Sequence, residues 1–240
     1  GQVTTIAIMQ PTYLPWIGYF GMIDRADIFV FLDTVQFARR SWQQRNRIKT
    51  ANGPQMLTVP VHKKGARDQK IAEVQIDSES HFAEKHIRAI EHALSKAPYF
   101  KDYAADLFAL LQTDNPNLAE LNISLITWLS DALGISSRFL RSSAIEASGA
   151  KADLLANICE ALGGEVYISA PGSREYIESS DAFSTHGIKV AYHHYEHPVY
   201  PQLYGDFEPY LSTIDLLFNV GPQSLERIRS GYLEELSSAP

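Results

Sequence analysis

The 240-residue chain has one cysteine, Cys159, and a single thiol cannot close an internal disulfide, so a reducing compartment is expected. Long apolar runs are missing too. Stretches such as "IFVFL" and "LLANI" fall far short of the roughly 20 residues that cross a bilayer. No signal-peptide pattern opens the chain, so the cytoplasm is expected. Positive charge is scarce: 21 Lys and Arg against 28 Asp and Glu give a net charge of −7, which argues against bulk attraction to nucleic acid but permits a local basic patch. There is no low-complexity segment, no internal repeat, no Gly-x-Ser-x-Gly elbow and no Walker loop. No metal set is expected either. His193 and His194 would face opposite sides of a strand and, with His197, find no cysteine or nearby carboxylate cluster to complete a tetrahedron. Cys159 itself lies among Leu154, Leu155, Ile158 and Leu162, the setting of an inert buried thiol.

What is present is an ordinary globular composition, 45% hydrophobic and 20% charged, enough to bury one large core or two small ones. "TTIAIM" and "IFVFLD" read as buried parallel strands joined through a turn and a helix between Pro15 and Arg25. Such a crossover collects ligand groups near Gln10 and Asp33. "WQQRNRIKT" and "QMLTVPV" flank Asn52-Gly53 and predict a hairpin from Trp42 to Val61, followed by a polar loop, "HKKGARDQ". "KIAEVQI" reads as another strand, and Ser80 as the N-cap of a helix carrying Ala83, Ile87, Ile90 and Leu94. A longer helix carries Leu118, Leu121, Leu125 and Trp128 and ends at Gly134. Strand and helix then alternate through "SRFLRS", "KADLLANICEAL", "EVYIS" and "IKVAYHHYEH", before two short helices around "PYLSTIDLLFN" and "QSLERIRSG". The predicted fold is α/β: a Rossmann-like parallel sheet with a central helical insertion and a short β-hairpin. We read one domain over 1–240, with an N-terminal α/β part to about 78, a helical middle over about 79–134 and a C-terminal α/β part from about 135.

Four places offer chemistry. Pro15 can open a helix just after the first strand, so the amides of Trp16, Ile17 and Gly18 would face an anion at a helix N-terminus. Tyr13, Leu14, Trp16 and Phe20 serve equally well as a core plug, and residue types leave both readings open. "DTVQFARRSWQQRNRIK" sets Asp33 at a strand end, followed by Gln36, Arg39, Arg40, Arg45, Asn46 and Arg47. Guanidinium forks suit phosphate or carboxylate, and amides suit a sugar or base edge. The same arginines, paired with the surplus acids, would make a solvated hairpin arm. In strand geometry Arg45 and Arg47 share one face and Asn46 takes the other. "YISAPGSREY" carries Tyr167, Ser169, Gly172, Arg174 and Tyr176 past a strand end, as a phosphate-binding nest or a plain loop. Near the C-terminus Tyr200, Gln202, Tyr204 and Phe207, with Ser212 and Asp215, make either a pocket wall or a loop capping the core.

With "QPTYLPWIGYF", "LDTVQFARRSWQQRNRI", "APYF", "YISAPGSREY", "HPVYPQ" and "STIDLLFNVGP" in this order, the chain resembles the WbqC-like proteins along almost its whole length. Members of that family are encoded in bacterial O-antigen and other surface-polysaccharide clusters and are linked to placing glycine on an amino sugar. The resemblance implies a transferase that forms an amide between an amino acid, glycine in the first instance, and the amine of a nucleotide-linked amino sugar. In that reading Asp33 or His193 takes a proton from the amine, with His186 and His194 as alternatives. Arg40, Arg45 and Arg47 grip phosphates, Gln10, Tyr13, Gln36 and Asn46 orient polar groups, and Trp16, Gly18, Tyr19 and Gln202 complete the ligand contacts. The donor is either an adenylate made with ATP and Mg²⁺ or an aminoacyl-tRNA, and the acidic chain makes large tRNA contacts less attractive. Pro15-Trp16-Ile17-Gly18-Tyr19 is also similar, more loosely, to the nucleotidylyltransferase superfamily, in which a His-x-Gly-His sequence meets ATP phosphates. Trp16 and Tyr19 stand at the two histidine positions, so the imidazoles that would stabilise nucleotidyl transfer are missing while the backbone cradle remains. Nucleotidyl transfer to a sugar or alcohol phosphate and a non-catalytic nucleotide-sugar binding module are the alternatives. No membrane partner is expected.

Overall fold

The computed structural model describes residues 3–63 and 68–233 and the backbone of residues 237–238. The polar loop predicted over "HKKGARDQ" includes residues 64–67, which lie outside the described residues. Along the chain, β1 (Thr5–Met9), α1 (Ile17–Arg25) and β2 (Ile28–Phe31) are followed by a hairpin of β3 (Arg45–Thr50) and β4 (Gly53–Thr58). Three helices come next, α2 (Phe82–Leu94), α3 (Phe100–Leu111) and α4 (Leu118–Leu133). The alternation then resumes with β5 (Arg138–Arg141), α5 (Lys151–Ala161), β6 (Val166–Ser169), α6 (Arg174–Glu178), α7 (Ala182–Thr185) and β7 (Lys189–Tyr192). The chain closes with α8 (Thr213–Val220), α9 (Ser224–Arg229) and a two-residue β8 (Ser237–Ser238).

Alternating side chains account for the layers. Ile6, Ile8, Ile28 and Val30 enter one apolar cluster, with Ala156, Ile158 and Cys159 of α5 and Phe183 of α7. Ala7, Phe29 and Phe31 point the other way, into a cluster that also takes Ile17 and Phe20 of α1, Leu125 and Leu129 of α4, and Leu217 of α8. Strands covered on both faces explain why these segments read as unbroken apolar runs. Cys159 is fully buried there, and burial pushes its thiol up to about 12, so it is inert.

The main sheet runs β5-β2-β1-β6-β7-β8. Its first five strands are parallel, and β8 joins β7 antiparallel at the far edge. Strand order reverses between β1 and β6. The crevice beyond the carboxyl ends of those two strands is therefore the topological switch point, where sheets of this kind gather ligands. The hairpin forms a separate two-stranded sheet, with Gly53 at φ 103 closing its turn. Asn117 caps α4 by accepting a bond from Glu120 N at 2.9 Å, a contribution of about 1 kcal/mol. Gly134, at φ 85, ends that helix.

Two local expectations fail. "KIAEVQI" is not a strand: Ile71–Glu73 forms one 3₁₀ turn, and Lys70, Gln75 and Ile76 pair singly with Gln36, Asn117 and Val61. Three different partners leave no room for a ladder. Ser80 is not the cap of α2, because Ser78–Ser80 forms its own 3₁₀ turn and His81, at φ 53, takes the capping position. Among the described residues no helix is long and apolar enough to cross a membrane.

Candidate ligand-binding cleft

The turn from β1 into α1 is tied to the hairpin before it reaches the helix. Tyr13 is fully buried; its N–H donates to Trp42 O at 2.9 Å, its carbonyl accepts from Asn46 Nδ2 at 3.2 Å, and its hydroxyl bonds His86 Nδ1 at 2.7 Å. Leu14 then takes φ 42, a left-handed conformation that costs a residue with a Cβ roughly 1 kcal/mol and reverses the chain toward Pro15. Thr213 N donates to Pro15 O at 2.8 Å, and Trp16 forms a bridge with Ser212. The Trp16 indole lies across the first turn of α1, so close that a Cβ added at Gly18 would stand 2.2 Å from it. This helix end is roofed by its own cap residue and by the chain around Ser212.

Beside that roof, at the carboxyl end of β1, lies a cleft of about 320 Å³ lined by Met9, Thr12, Pro15, Trp16, Tyr19, Trp42, Asn46 and Tyr210. Rings build it. The Trp16 ring is 5.5 Å from Tyr210, 6.0 Å from Tyr195 and 6.2 Å from His197, nearly parallel to the last at 20°. Trp42 and Tyr210 stand 51% and 55% exposed at the cleft. The polar groups of its wall are partly engaged: Tyr19 donates to Gln10 O at 2.9 Å, and Asn46 Oδ1 accepts from Arg47 N at 2.8 Å. None of the eight lining residues is a carboxylate, histidine, lysine or arginine. Such walls hold a flat ring by stacking, with few polar anchors.

No cation lines the cleft, and two cations of the hairpin bind the segment that carries Tyr210. Arg45, Arg47 and Lys49 alternate along β3, Arg45 half-buried at its start. Arg47 Nη2 donates to Tyr210 O at 3.2 Å. Lys49, buried, donates to Gln202 Oε1 at 3.2 Å, to Gly205 O at 3.4 Å and to Asp206 O. Gln202 also accepts from Glu208 N at 2.9 Å. Together these bonds hold the segment 202–210 that carries Tyr210. Beneath it Tyr200 donates to the buried Asp215 at 2.8 Å, and burial raises that carboxyl to about 6. Tyr204 donates to Ala93 O at 2.6 Å, Phe207 packs on Tyr200, and Ser212 caps α8. Arg39 and Arg40 are exposed on the turn before Trp42, where Arg40 N donates to Gln44 Oε1 at 2.8 Å. Gln36, also exposed, donates to Asp68 at 3.4 Å.

Other sequence candidates lie elsewhere. Asp33 is 2% exposed and its carboxylate accepts from Ser142 Oγ (3.0 Å), Ser143 N (2.9 Å) and Ser143 Oγ (2.7 Å), tying the end of β2 to the end of β5. His193 is buried between Tyr195 at 5.3 Å and Tyr232 at 5.6 Å, both ring nitrogens without a hydrogen-bond partner among the described residues, and burial lowers it to about 4. His186 pairs with Glu160, and His194 is half-buried. Tyr167 stacks on Phe183 at 4.8 Å in the other apolar cluster. Ser169 donates to Ala170 O at 3.1 Å, Gly172 sits in a 3₁₀ turn, and Tyr176 is exposed. Arg174 donates to Glu178 at 3.0 Å and covers the Tyr192 ring at 4.6 Å. The structure thus gathers Trp16, Tyr19 and Asn46 in one wall, with Gln10 and Arg47 bonded to it. Asp33, His193 and the Tyr167–Tyr176 set do not join them. Met9, Thr12, Trp42 and Tyr210 complete the wall although the sequence reading did not select them; the available signal was two large rings inside polar stretches, "RRSWQQ" and "EPYLS".

The WbqC-like protein family model matches residues 10–227. A protein of Mycobacterium tuberculosis (strain ATCC 25618 / H37Rv), called "Uncharacterized protein Rv1507c", is 39% identical over 226 residues, covering 93% of this chain and 97% of its own. No solved structure matches.

Proposed function

The chain belongs to the WbqC-like protein family, and from that premise we propose that it is a cytoplasmic transferase of bacterial surface-polysaccharide (O-antigen) biosynthesis. In this reading it forms an amide between an amino acid, glycine in the first instance, and the amine of a nucleotide-linked amino sugar. The observation that carries the proposal is the ring-walled cleft at the carboxyl end of β1, sized at about 320 Å³ for a planar group. A nucleobase stacks against Trp16, Trp42 and Tyr210, and exposed Arg39 and Arg40 beside Trp42 meet the diphosphate. The cleft supplies binding and orientation. With Asp33 held by Ser142 and Ser143, and His193 enclosed by rings, no acid–base role is assigned to either.

The test is to incubate the protein with labelled glycine, a nucleotide-linked amino sugar, ATP and Mg²⁺, with and without glycyl-tRNA, and to follow the mass of the sugar. A glycyl increment that disappears in Trp42→Ala and Tyr210→Ala supports the proposal. Absence of any increment with every donor, under conditions where the nucleotide sugar binds, favours a second reading: a non-catalytic binding module. That reading draws on one observation, the lack of any carboxylate, histidine, lysine or arginine among the lining residues.

A further inference from the structure

Tyr210 is held in place from both sides of its backbone, and each hold makes a different demand. Its carbonyl accepts from Arg47 Nη2 at 3.2 Å. Its N–H donates to His197 Nε2 at 3.1 Å, while His197 Nδ1 lies 2.8 Å from Pro198 O, a carbonyl that only accepts. One nitrogen must carry the proton and the other must not, so these partners select the neutral imidazole with hydrogen on Nδ1. Tyr210 also stands at φ 60, a conformation that a tyrosine does not hold without restraint. The same imidazole lies nearly parallel to the Trp16 indole and edge-on to Tyr210 at 5.1 Å and Phe207 at 5.6 Å.

We propose that His197 is the positioning residue of the cleft: in its Nδ1–H form it fixes Tyr210 and the Trp16 indole as the walls of the ring slot, and proton uptake at Nε2 releases Tyr210. This rests on the reading that the cleft is a ligand site. A proton on Nε2 would turn an acceptor into a donor facing the Tyr210 N–H, so that bond is lost. Among the described residues no carboxylate is bonded to the ring to compensate. The groups facing it are Trp16 at the start of α1 and Phe207, Tyr210 and Pro198 on the covering segment. Behind these stand Tyr195 against Trp16, Arg47 on the Tyr210 carbonyl, and the Tyr200–Asp215 pair behind Phe207. Burial lowers the imidazole pKa from its ordinary value, so release requires more acid than an ordinary imidazole does. Because ring binding selects the neutral form, ligand and proton oppose each other reciprocally.

The experiment uses the full chain with uridine and adenosine as probes, neither of which titrates between pH 7.5 and 5.0, measuring Kd by calorimetry across that range. Imidazole nitrogen shifts and the Tyr210 amide are followed by NMR in the absence of probe. Wild type should bind measurably more weakly at pH 5.0 than at pH 7.5. His197→Gln should bind with little pH dependence, because its Oε1 accepts the same N–H and does not titrate, and His197→Ala should bind weakly throughout. Asp215→Asn, which removes a buried carboxyl raised to about 6, should keep the wild-type step. The same pH step in His197→Gln, or an Nε2–H tautomer at pH 7.5, overturns the proposal. If neither probe binds at any pH, the nucleotide reading of the cleft fails by itself. The NMR then decides the present inference: a Tyr210 amide shift that follows the His197 titration upholds it, and a shift independent of that titration overturns it.

Discussion

β1 and β2 are neighbours in one sheet, run in the same direction and end at the same edge, yet their carboxyl ends are built differently. Beyond β1 the chain opens a slot between Trp16, Trp42 and Tyr210, with two of those rings more than half exposed. Beyond β2, Asp33 is withdrawn from solvent and both carboxylate oxygens accept bonds from Ser142 and Ser143. A strand-end carboxylate looks functional in sequence, and the carboxyl edge of a parallel sheet is the expected place for ligands. What separates the two ends is whether the side chains already have partners. The Asp33 oxygens are taken up by the fold, whereas the Trp42 and Tyr210 rings beside β1 keep half of their surface exposed.

The sharpest way to break this comparison is to remove Asp33. Asp33→Ala strands two serine hydroxyls and an amide at the β2–β5 seam, which should lower stability by roughly 2–4 kcal/mol, read as a shift in the urea midpoint. Nucleotide affinity per folded molecule should stay within about two-fold of wild type. Loss of affinity with unchanged stability would reverse the assignment of the two ends. Next, acid should loosen the β1 side. His86, which bonds the Tyr13 hydroxyl and Thr58 O, and His193, beside Tyr195, are each lowered by burial to about 4. Groups with depressed imidazole pKa values contribute no penalty above about pH 6.5, and stability is lost as pH falls from there toward 4, by up to roughly 3 kcal/mol for each. Asp215 has the opposite sign. Its raised pKa, about 6, gives stability that is full below its unfolded value and lost as pH rises through 6. Asp215→Asn should therefore steepen the fall in stability between pH 6.5 and 4, measured by thermal melts across pH; an unchanged slope would remove Asp215 from the account.

Trp42→Ala is the inverse of the Asp33 test. The ring is 51% exposed, so unfolding should shift by less than about 0.5 kcal/mol. Loss of a stacking face should weaken nucleotide binding by about 1–3 kcal/mol, read by calorimetry at pH 7.5. The smallest change is Gly18→Ala. Its methyl would meet the Trp16 ring, so the indole must tilt, and affinity should fall a few-fold in a protein that still folds. A Gly18→Ala variant with wild-type affinity would show that the slot does not depend on the roof over α1.

Much of the fold was legible because burial and termini speak locally. The apolar runs "TTIAIM" and "IFVFL" are strands covered on both faces, and Asn117 and Gly134 bound α4 by capping chemistry readable from residue types. "KIAEVQI" misled because alternation promises a ladder, and the segment instead pairs singly with Gln36, Asn117 and Val61. The cleft was half legible. Trp16 and Tyr19 sit close enough in sequence to the β1 turn to be suspected, and Asn46 stands among the hairpin's arginines and amides, whereas Trp42 and Tyr210 arrive only through long-range bonds. Tyr13 N draws in the Trp42 carbonyl, and the Arg47 carbonyl holds Ser212 N beside Tyr210. Asp33 could be located but not interpreted, because its meaning depends on serines contributed by the end of another strand.

Three tryptophans give the most direct test, because Trp16 and Trp42 line the cleft while Trp128 lies on α4, in a different groove beside Asp131 and Arg141. Titrating the protein with a nucleotide-linked amino sugar and recording the three indole N–H resonances should move those of Trp16 and Trp42 in parallel and leave Trp128 in place. Saturable binding that moves neither Trp16 nor Trp42, with shifts concentrated at Asp33, Ser142 and Ser143 instead, would contradict the assignment of the ligand site to the end of β1.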